Sequence, residues 1–149
     1  MTPNRLVFGR DDAVAAWVAR QIPHVGAVGF GACRAIAVVA GDRPVAGIVY
    51  HDYQPQARCV QISMASVSPL WAQPGTVRAL LSVPFEQYGC YKIWTAIPAD
   101  NERALRFNRG IGMKSEGTLR HQFGPRRHAI IFGMIEPEWA AKWRLKEAA

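Results

Sequence analysis

Residues 35–67 read AIAVVAGDRPVAGIVYHDYQPQARCVQISMASV, three apolar runs separated by two polar segments. Each polar segment contains proline, and the first also contains Gly41, a composition typical of tight turns. In the third run, Val60, Ile62 and Met64 alternate with polar residues, the spacing of a strand that buries one face. The stretch therefore predicts three consecutive antiparallel strands. They span residues 35–40, 45–53 and 59–67.

Helices and further strands are predicted on both sides of this antiparallel unit. Before it, residues 5–8 form a short β-type run, and a helix capped by Asp11 or Asp12 ends before Pro23. After it, helical and extended patterns alternate along the chain. The predicted elements are a helix over 76–87, a strand over 92–97, a helix over 101–108, strands over 114–121 and 129–135, and a helix from 136. This order predicts an α+β fold, a sheet covered by helices.

Two of the predicted helices show which face they bury. Ala104 and Phe107 are expected to point inward from the helix over 101–108. Trp139 and Trp143, four residues apart, are expected to form the inner face of the last helix. Scattered tryptophans of this kind indicate core packing rather than a platform for stacking nucleic-acid bases.

The composition is that of a single folded domain. The chain has 149 residues, of which 50% are hydrophobic and 19% charged, too apolar for a disordered chain. We therefore expect one domain over residues 1–149. The three cysteines form no Cys-x-x-Cys pair, so neither a disulfide framework nor a metal site is expected. No signal peptide or membrane-spanning run is visible, which predicts a cytoplasmic protein.

The net charge is +7, and the excess is concentrated in the C-terminal third. Seven arginine and lysine residues fall within 102–128, opposed there by Glu102 and Glu116. A surface of this kind attracts polyanions such as nucleic acid, anionic lipid or a phosphate-rich cofactor. Charge alone leaves these open, together with a solvated basic face that binds no ligand.

The segment 101–120 carries the most specific motif. It reads NERALRFNRGIGMKSEGTLR, with Asn101 and Ala104 at its start, Gly112 followed by a bulky apolar residue, and EGTLR at its end. This pattern resembles the GNAT family of acyl-CoA-dependent N-acetyltransferases, and is most similar to the ribosomal-protein N-acetyltransferase type.

A second part of the resemblance lies upstream. Val67-Ser68-Pro69, leading to Gly75, resembles the end of the family's fourth strand and its pyrophosphate loop. Together the two parts extend the resemblance over residues 35–143, and the order of strands and helices inferred above agrees with it.

The resemblance implies a fold, a cosubstrate and a reaction. The fold is a mixed, mostly antiparallel central sheet of about seven strands, with helices on both faces and a gap where the fourth and fifth strands splay apart. Acetyl-CoA is the cosubstrate, and its pantetheine arm lies in that gap. The acetyl group passes to a primary amine of a protein N-terminus, a lysine or a small molecule. The amine attacks the thioester directly while both substrates are bound.

The resemblance also implies where acetyl-CoA binds. The backbone of Val67 would pair with the pantetheine arm as an added strand does. The loop before the next helix would present N–H groups to the diphosphate at a helix N-terminus. The residues implied around the diphosphate are Gln73, Gly75, Thr76, Val77 and Arg78, and those along the pantetheine and adenosine are Asn101, Arg106 and Asn108. Trp71, just before the loop, either packs in the core or shields the pantetheine.

Two departures from the family pattern leave a second hypothesis open. In the phosphate loop, Ala72 and Val77 occupy positions where the family has a polar residue and a small one, and Pro74 supplies no N–H. Asn108 stands where many members carry a tyrosine that protonates the leaving thiolate. A catalytically inactive GNAT-fold module, with a basic surface for nucleic acid or an acidic partner, is therefore the alternative. We favour the enzyme, with nucleic acid not expected as a partner.

The candidates for catalysis are His51 and Asn108. His51 ends the third strand and titrates near neutrality, so it is a candidate general base, unless it is a hydrogen-bonded structural residue. Asp52, next to it, is a second candidate for the base. Gln61 is a candidate only as a residue that holds a water molecule. Asn108 would position the pantetheine or relay a water.

Three further expectations concern residues outside this group. His121 and His128 are expected to be solvated loop residues, and Cys90 is not expected to be a nucleophile. The last strand and helix could pair in a homodimer.

Overall fold

A computed structural model describes residues 4–144 as a seven-stranded sheet with four α-helices. The elements are β1 (Arg5–Val7), α1 (Asp11–Gln21), β2 (Cys33–Ala40), β3 (Arg43–Gln54), β4 (Cys59–Ser66), α2 (Pro74–Ser82), β5 (Lys92–Pro98), α3 (Glu102–Gly110), β6 (Lys114–Leu119), β7 (Ala129–Ile135) and α4 (Glu136–Lys142). Short helical turns lie at Gly26–Val28, Pro69–Trp71 and Val83–Gln87. Among residues 4–144, none of the helices is both long enough and apolar enough to cross a membrane.

The sheet has the strand order β1-β2-β3-β4-β5-β7-β6. Every neighbouring pair is antiparallel except β4 and β5, which are parallel. These two strands pair only at their beginnings, from Cys59 opposite Lys92 to Gln61 opposite Trp94. Beyond Gln61 they separate, which leaves a gap in the middle of the sheet. The predicted mixed, mostly antiparallel α+β sheet and its gap between the fourth and fifth strands are confirmed.

Apolar clusters fill both faces of the sheet. On one face, Val14 and Val18 of α1 pack on Ala35, Ala37 and Val49 of the first hairpin. On the other face, α2, α3 and α4 bury a larger cluster that includes Val60, Ile62, Leu80, Leu105, Ile93, Phe132 and Trp139. Burial of each large side chain contributes about 1.5–3 kcal/mol relative to its exposed state. The sheet is therefore covered by helices on both faces, as expected.

Two helix ends differ from the sequence-based prediction. Helix α1 has Arg10 as its N-cap, and no side chain caps it. Asp11 instead accepts a hydrogen bond from the N–H of Ala35 at 2.9 Å, because α1 packs directly over β2. The helix predicted to reach residue 87 ends at Ser82, followed by a wider turn that contains Pro84. Proline cannot donate to the helical ladder, which explains the change of geometry there.

The inner face of α3 also differs from the prediction. Leu105 and Asn108 are the buried residues of this helix, whereas Ala104 and Phe107 are half-buried. A helix beginning at Glu102 directs 105 and 108, three residues apart, toward the sheet. Phe107 lies at the edge of this face, where its ring centroid is 5.2 Å from that of Trp71.

Candidate functional site

The gap between β4 and β5 exposes backbone hydrogen-bonding groups. The N–H of Val67 donates to the C=O of Val45 at 2.9 Å, so Val67 faces β3 and not the gap. Because the direction of these groups alternates along an antiparallel strand, Ser66 and Met64 point their N–H and C=O away from β3. The N–H of Val67 is therefore already bonded to β3. Met64 and Ser66 direct their backbone groups toward the gap instead.

The other side of the gap follows the same rule. Glu136 donates its N–H to the C=O of Tyr91 at 2.7 Å, which fixes the alternation of the ladder between β5 and β7. Ala96 of β5 consequently directs its backbone groups toward the gap, while Pro98 has no N–H to offer. An extended chain entering here would find donors and acceptors on both walls.

A cavity of about 370 Å³ opens on the side of the gap covered by α3, and we call it the α3 cavity. Its floor is formed by β4 and β5, and its wall by the start of α3. Its lining includes Ile62, Met64, Ser66, Trp71, Ala72, Thr95, Asn101, Arg103, Arg106, Phe107 and Asn108. Trp71 is buried and also lines this cavity, so it packs in the core with one edge at the cavity wall.

Two polar side chains of α3 are held in place at this cavity. Asn101 caps the helix, since its Oδ1 accepts from the N–H of Ala104 at 3.2 Å. Asn108 is only 6% exposed, and its Nδ2 donates to the C=O of Ala104 at 2.8 Å. The remaining polar atom of the Asn108 side chain, its carboxamide oxygen, is a hydrogen-bond acceptor. An asparagine fixed in this way can orient a ligand but cannot donate a proton as an acid.

The positive charge of α3 is concentrated beside the same cavity. Arg103 and Arg106 both line it, and both side chains are exposed. Neither guanidinium takes part in an ion pair with another residue in the described range 4–144. The cavity therefore has a mouth with two uncompensated positive charges, suited to an anionic ligand.

The first turn of α2 lies after the turn that supplies Trp71 and Ala72 to this cavity. Gln73 is the N-cap, and its C=O accepts from the N–H of Val77 at 3.0 Å. The N–H groups of Gly75 and Thr76 precede the first intrahelical bond and have no partner within the helix. Gly75 is exposed, with open space around its Cα, and Thr76 is buried. This turn can thus offer two amides to an anion.

Val77 and Arg78 do not face that anion position. Val77 is 5% exposed and packs in the core, and its N–H is already bonded to Gln73. Arg78 donates from Nε to the C=O of Trp143 at 3.1 Å, with its guanidinium 5.9 Å from the centroid of the indole ring. We therefore do not assign these two residues to a diphosphate, because the helical period turns 77 into the core and directs 78 to the end of α4.

On the opposite face of the sheet, His51 is connected to two polar residues. Its Nδ1 lies 2.6 Å from Oδ2 of Asp52, and its Nε2 lies 2.8 Å from Oγ of Ser63. A carboxylate only accepts, so Nδ1 carries the proton and Nε2 accepts from the Ser63 hydroxyl. Asp52 reaches this position because the backbone bulges after His51, with φ of 51° at Asp52. The three residues form a chain of hydrogen bonds from the surface to the centre of the sheet.

Burial decides the charge of this histidine. His51 is 6% exposed, and burial lowers its pKa below the usual 6.5, although the hydrogen bond to Asp52 acts in the opposite direction. The imidazole is therefore neutral at pH 7 and can accept a proton. The ring of Phe30 lies 4.8 Å from it, centroid to centroid, and completes its apolar surroundings.

Two further cavities lie on this face, on either side of Ser63. The first, of about 290 Å³, is lined by His51, Asp52, Gln61, Trp94 and Phe30, and we call it the His51 cavity. The second, of about 300 Å³, is lined by Gln21, His24, Thr95, Pro98, Phe123 and Arg127, and we call it the Arg127 cavity. Ser63 lines both of them, and Met64 and Thr95 line the Arg127 cavity as well as the α3 cavity. The gap thus connects cavities on both faces of the sheet.

Two loops cover these cavities and contact each other. His24, after α1, stacks on Phe123 of the β6–β7 loop with ring centroids 4.0 Å apart. Within the β6–β7 loop, the N–H of His121 donates to Nδ1 of His128 at 2.9 Å, and the N–H of Arg126 donates to Nδ1 of His121 at 2.8 Å. His121 and His128, expected as solvated side chains, therefore hold the loop in shape.

Sequence reasoning did not identify Ser63 as a functional residue. The available signal was the polar alternation of Gln61 and Ser63 in a strand at the centre of the sheet. His51 lies opposite Gln61 in the register of β3 and β4, which makes Ser63 its diagonal neighbour. That register depends on the tertiary pairing, so the sequence alone indicated no contact between them.

Comparison with known proteins identifies the fold. No protein-family model matches the sequence, and no curated protein matches it. Solved structures do match: a protein proposed to be an acetyltransferase has 18% identity over 93% of this chain and 88% of its own, with a TM-score of 0.73. A second such protein, from T. thermophilus, has 18% identity over 95% of this chain and 90% of its own, with a TM-score of 0.70.

A third structure is that of spermidine N-acetyltransferase from Vibrio cholerae in complex with CoA and spermine. It has 12% identity over 91% of this chain and 97% of its own, with a TM-score of 0.68. At these identities the similarity establishes the fold, which is that of the GNAT acetyltransferases. The activity has to be argued from the site.

Proposed function

We propose that this protein is an acyl-CoA-dependent N-acetyltransferase that transfers an acetyl group to a primary amine while both substrates are bound. The observation that carries the proposal is the gap between β4 and β5, which connects a basic cavity on one face with a histidine-bearing cavity on the other. A thioester threaded into the gap from one face can meet an amine that enters from the opposite face. Such a geometry allows direct transfer with no covalent enzyme intermediate.

The α3 cavity is the proposed site of the pantetheine arm. The backbone groups of Met64 and Ser66 would pair with its amides, in the place of a missing strand. Asn101 and Asn108 would contact the arm from α3, where both line the cavity. The backbone N–H groups of Met64 and Ser66 would also be the donors to the thioester carbonyl as negative charge develops on that oxygen.

The phosphates of acetyl-CoA are assigned to the basic mouth of this cavity. Gly75 and Thr76 offer backbone N–H groups at the start of α2, with Gln73 beside them. Arg103 and Arg106 supply positive charge from α3. This assignment keeps Gln73, Gly75, Thr76 and Arg106 from the expected site, adds Arg103, and omits Val77 and Arg78.

The chain of His51 and Ser63 is proposed to remove the proton of the amine. As the amine nitrogen bonds to the thioester carbon, the nitrogen becomes positively charged and acidic. It gives a proton to Oγ of Ser63, which passes its own proton to Nε2 of His51. The C–S bond then breaks, the thiolate takes a proton from solvent, and the imidazolium of His51 releases its proton to solvent, so that one proton has moved from nitrogen to sulfur overall. Asp52 stabilises the imidazolium at Nδ1.

The acceptor subtype and the compartment are also proposals. The segment Glu116-Gly117-Thr118-Leu119-Arg120, which resembles the ribosomal-protein N-acetyltransferase type, forms β6 and the turn after it. This keeps a protein N-terminus among the candidate acceptors, beside lysine and small amines. Cys33, Cys59 and Cys90 are free thiols, which fits a reducing compartment such as the cytoplasm.

Calorimetric titration with acetyl-CoA tests the proposed function. We expect saturable micromolar binding, and at least a tenfold rise in Kd when Arg103→Met and Arg106→Met are combined. The control combines Arg5→Met with Arg43→Met, which removes the same charge from β1 and the start of β3 and changes Kd less than twofold. Absence of acetyl-CoA binding, with salt-sensitive binding of duplex DNA in its place, supports the inactive basic module instead.

A further inference from the structure

The charges around the two cavities on the His51 face are unevenly distributed. The Arg127 cavity is lined by two basic side chains, His24 and Arg127, and none of the carboxylates in the described part of the chain lines it. The His51 cavity has one carboxylate, Asp52, which is already bonded to His51. An acceptor that enters here meets positive charge on one side of Ser63 and a proton acceptor on the other.

Arg127 is available to a ligand. Its closest carboxylate partner is Asp100, at 3.9 Å between Nη2 and Oδ1, and the Asp100 side chain is 79% exposed. An exposed ion pair at this distance contributes little and is readily replaced by a better one. A guanidinium is also the side chain best suited to bind a carboxylate through two parallel hydrogen bonds.

His24 adds a polar contact without adding a full charge. Burial and the nearby charge of Arg127 lower its pKa, so the ring is neutral at pH 7 and presents a hydrogen-bonding nitrogen. Its stacking on Phe123 also joins the two covering loops and bounds the Arg127 cavity. The cavity of about 300 Å³ is at the small end of ligand sites, which favours a small molecule over a protein segment.

We propose that the acceptor is a small primary amine that carries a carboxylate, such as a free α-amino acid, with the amine at Ser63 and the carboxylate at Arg127. This inference rests on the proposed function, which it makes more specific. Ser63 lines both cavities, so an amine bound beside Ser63 can place its carboxylate in the Arg127 cavity. A polyamine would place additional positive charge beside Arg127, in a cavity that none of the carboxylates among residues 4–144 lines.

The test compares two amino acids with amines that lack the free α-carboxylate. The probes are L-phenylalanine and L-leucine, their carboxamides, phenethylamine, spermidine, and a peptide with a free N-terminal amine. The product is measured by mass spectrometry with acetyl-CoA as donor. We expect kcat/KM for each amino acid to exceed that for its carboxamide at least tenfold, with spermidine and the peptide poorer still.

A matched pair of variants connects the preference to Arg127. Arg127→Met removes the guanidinium but keeps an unbranched stem. We expect it to raise KM for the amino acids at least tenfold and to leave KM for the carboxamides unchanged. Arg126→Met changes the neighbouring loop arginine, which is not among the residues that line the cavity. We expect this variant to leave KM unchanged for the amino acids and for the carboxamides. An unaltered Kd for acetyl-CoA shows that each variant is folded.

The outcomes separate this inference from the proposed function. Equal or better use of carboxamides, phenethylamine, spermidine or the peptide overturns the carboxylate site and leaves the acetyltransferase standing. Binding of acetyl-CoA with no acetylation of the amino acids also overturns the carboxylate site. Failure to bind acetyl-CoA at all overturns both. An amino-acid preference that persists in Arg127→Met overturns the role of Arg127.

Discussion

The Nε2 atom of His51 lies 2.8 Å from the hydroxyl oxygen of Ser63, across two neighbouring strands at the centre of the sheet. Ser63 follows Ile62, where β4 begins to leave β5, so its hydroxyl stands beside the gap. On the other side of the imidazole, Asp52 is 2.6 Å away and 61% exposed at its side chain. Asp52 thus fixes the imidazole through Nδ1 on the surface side. Nε2 faces Ser63 and the gap, an arrangement that suits a proton acceptor.

Replacing His51 by glutamine should lower kcat about 100-fold or more, because a positioned general base contributes about 10²–10⁴-fold. The KM for acetyl-CoA should not change, since His51 lies on the opposite face from the α3 cavity. Steady-state kinetics with an accepted amine measures both values. A wild-type kcat in this variant would assign His51 a structural role.

Ser63→Ala tests whether the two residues act as a unit. If Ser63 carries the proton to His51, the single variants and the double variant should lose similar amounts of kcat, because the relay is broken once in each. Multiplicative losses in the double variant would show that the residues act independently.

The pH dependence of kcat should reveal the burial of His51. Its pKa is lowered below 6.5, and only the neutral ring accepts a proton, so kcat at saturating amine should fall only below pH 6.5. That acid limb should be absent from the residual activity of His51→Gln. A limb at or above pH 6.5 that persists in the variant would belong to another group, such as the amine itself.

Stability should depend on the same ionisation. The folded protein binds a proton at His51 less readily than the unfolded chain does. The contribution of the neutral His51 to the free energy of unfolding is therefore complete above pH 6.5 and is lost as the pH drops through the folded-state pKa. His24, whose pKa is also lowered, contributes in the same direction. Urea denaturation at several pH values should show a shallower acid loss in His51→Gln than in the wild type.

Asn101 should contribute to stability and to binding by separable means. Asn101→Ala removes the cap of α3 and should cost about 1 kcal/mol of unfolding free energy, whereas Asn101→Ser keeps a capping oxygen and should cost little. Both variants lose the amide that lines the α3 cavity, so both should weaken acetyl-CoA binding. Calorimetric affinity and urea denaturation of the two variants separate the effects.

Replacement by alanine should have opposite effects on the free energy of unfolding at Gly47 and Gly75. A Cβ at Gly47 would lie 2.6 Å from Cγ2 of Val18, so Gly47→Ala should push α1 from the sheet and cost about 1–3 kcal/mol. A Cβ at Gly75 meets no atom within 4 Å, and alanine favours the helix, so Gly75→Ala should stabilise by up to about 1 kcal/mol. Thermal denaturation of the pair should therefore show shifts of opposite sign.

The three thiols should differ in reactivity. Cys90 is 1% exposed, and burial raises its pKa to about 11, so almost no thiolate forms at pH 8. Cys33 and Cys59 are half-buried, and iodoacetamide should modify them first. Peptide mass spectrometry after timed labelling measures the order, with a sample in urea to show that Cys90 reacts once the chain is unfolded. Early labelling of Cys90 in the native protein would contradict its burial.

The order of strands and helices along the chain could be predicted from the sequence, because the spacing of apolar residues depends on which side chains are buried within a few residues. The alternation at Val60, Ile62 and Met64 predicted β4, and the pattern around 101–120 predicted a helix and the strand after it. The details that failed were set by neighbours distant in sequence. Asp11 does not cap α1, because its carboxylate accepts a hydrogen bond from the N–H of Ala35 in β2.

The sequence by itself determined the class of fold and the position of α3 with Asn101 at its start, since hydrophobic period, capping and turn residues act locally. Tertiary structure alone decided which backbone groups face the gap, because hydrogen-bond direction depends on the register with β3 and β7. It likewise decided that Ser63 contacts His51 and that Arg127 and His24 share a cavity. Those contacts join segments up to about a hundred residues apart, which no local pattern can bring together.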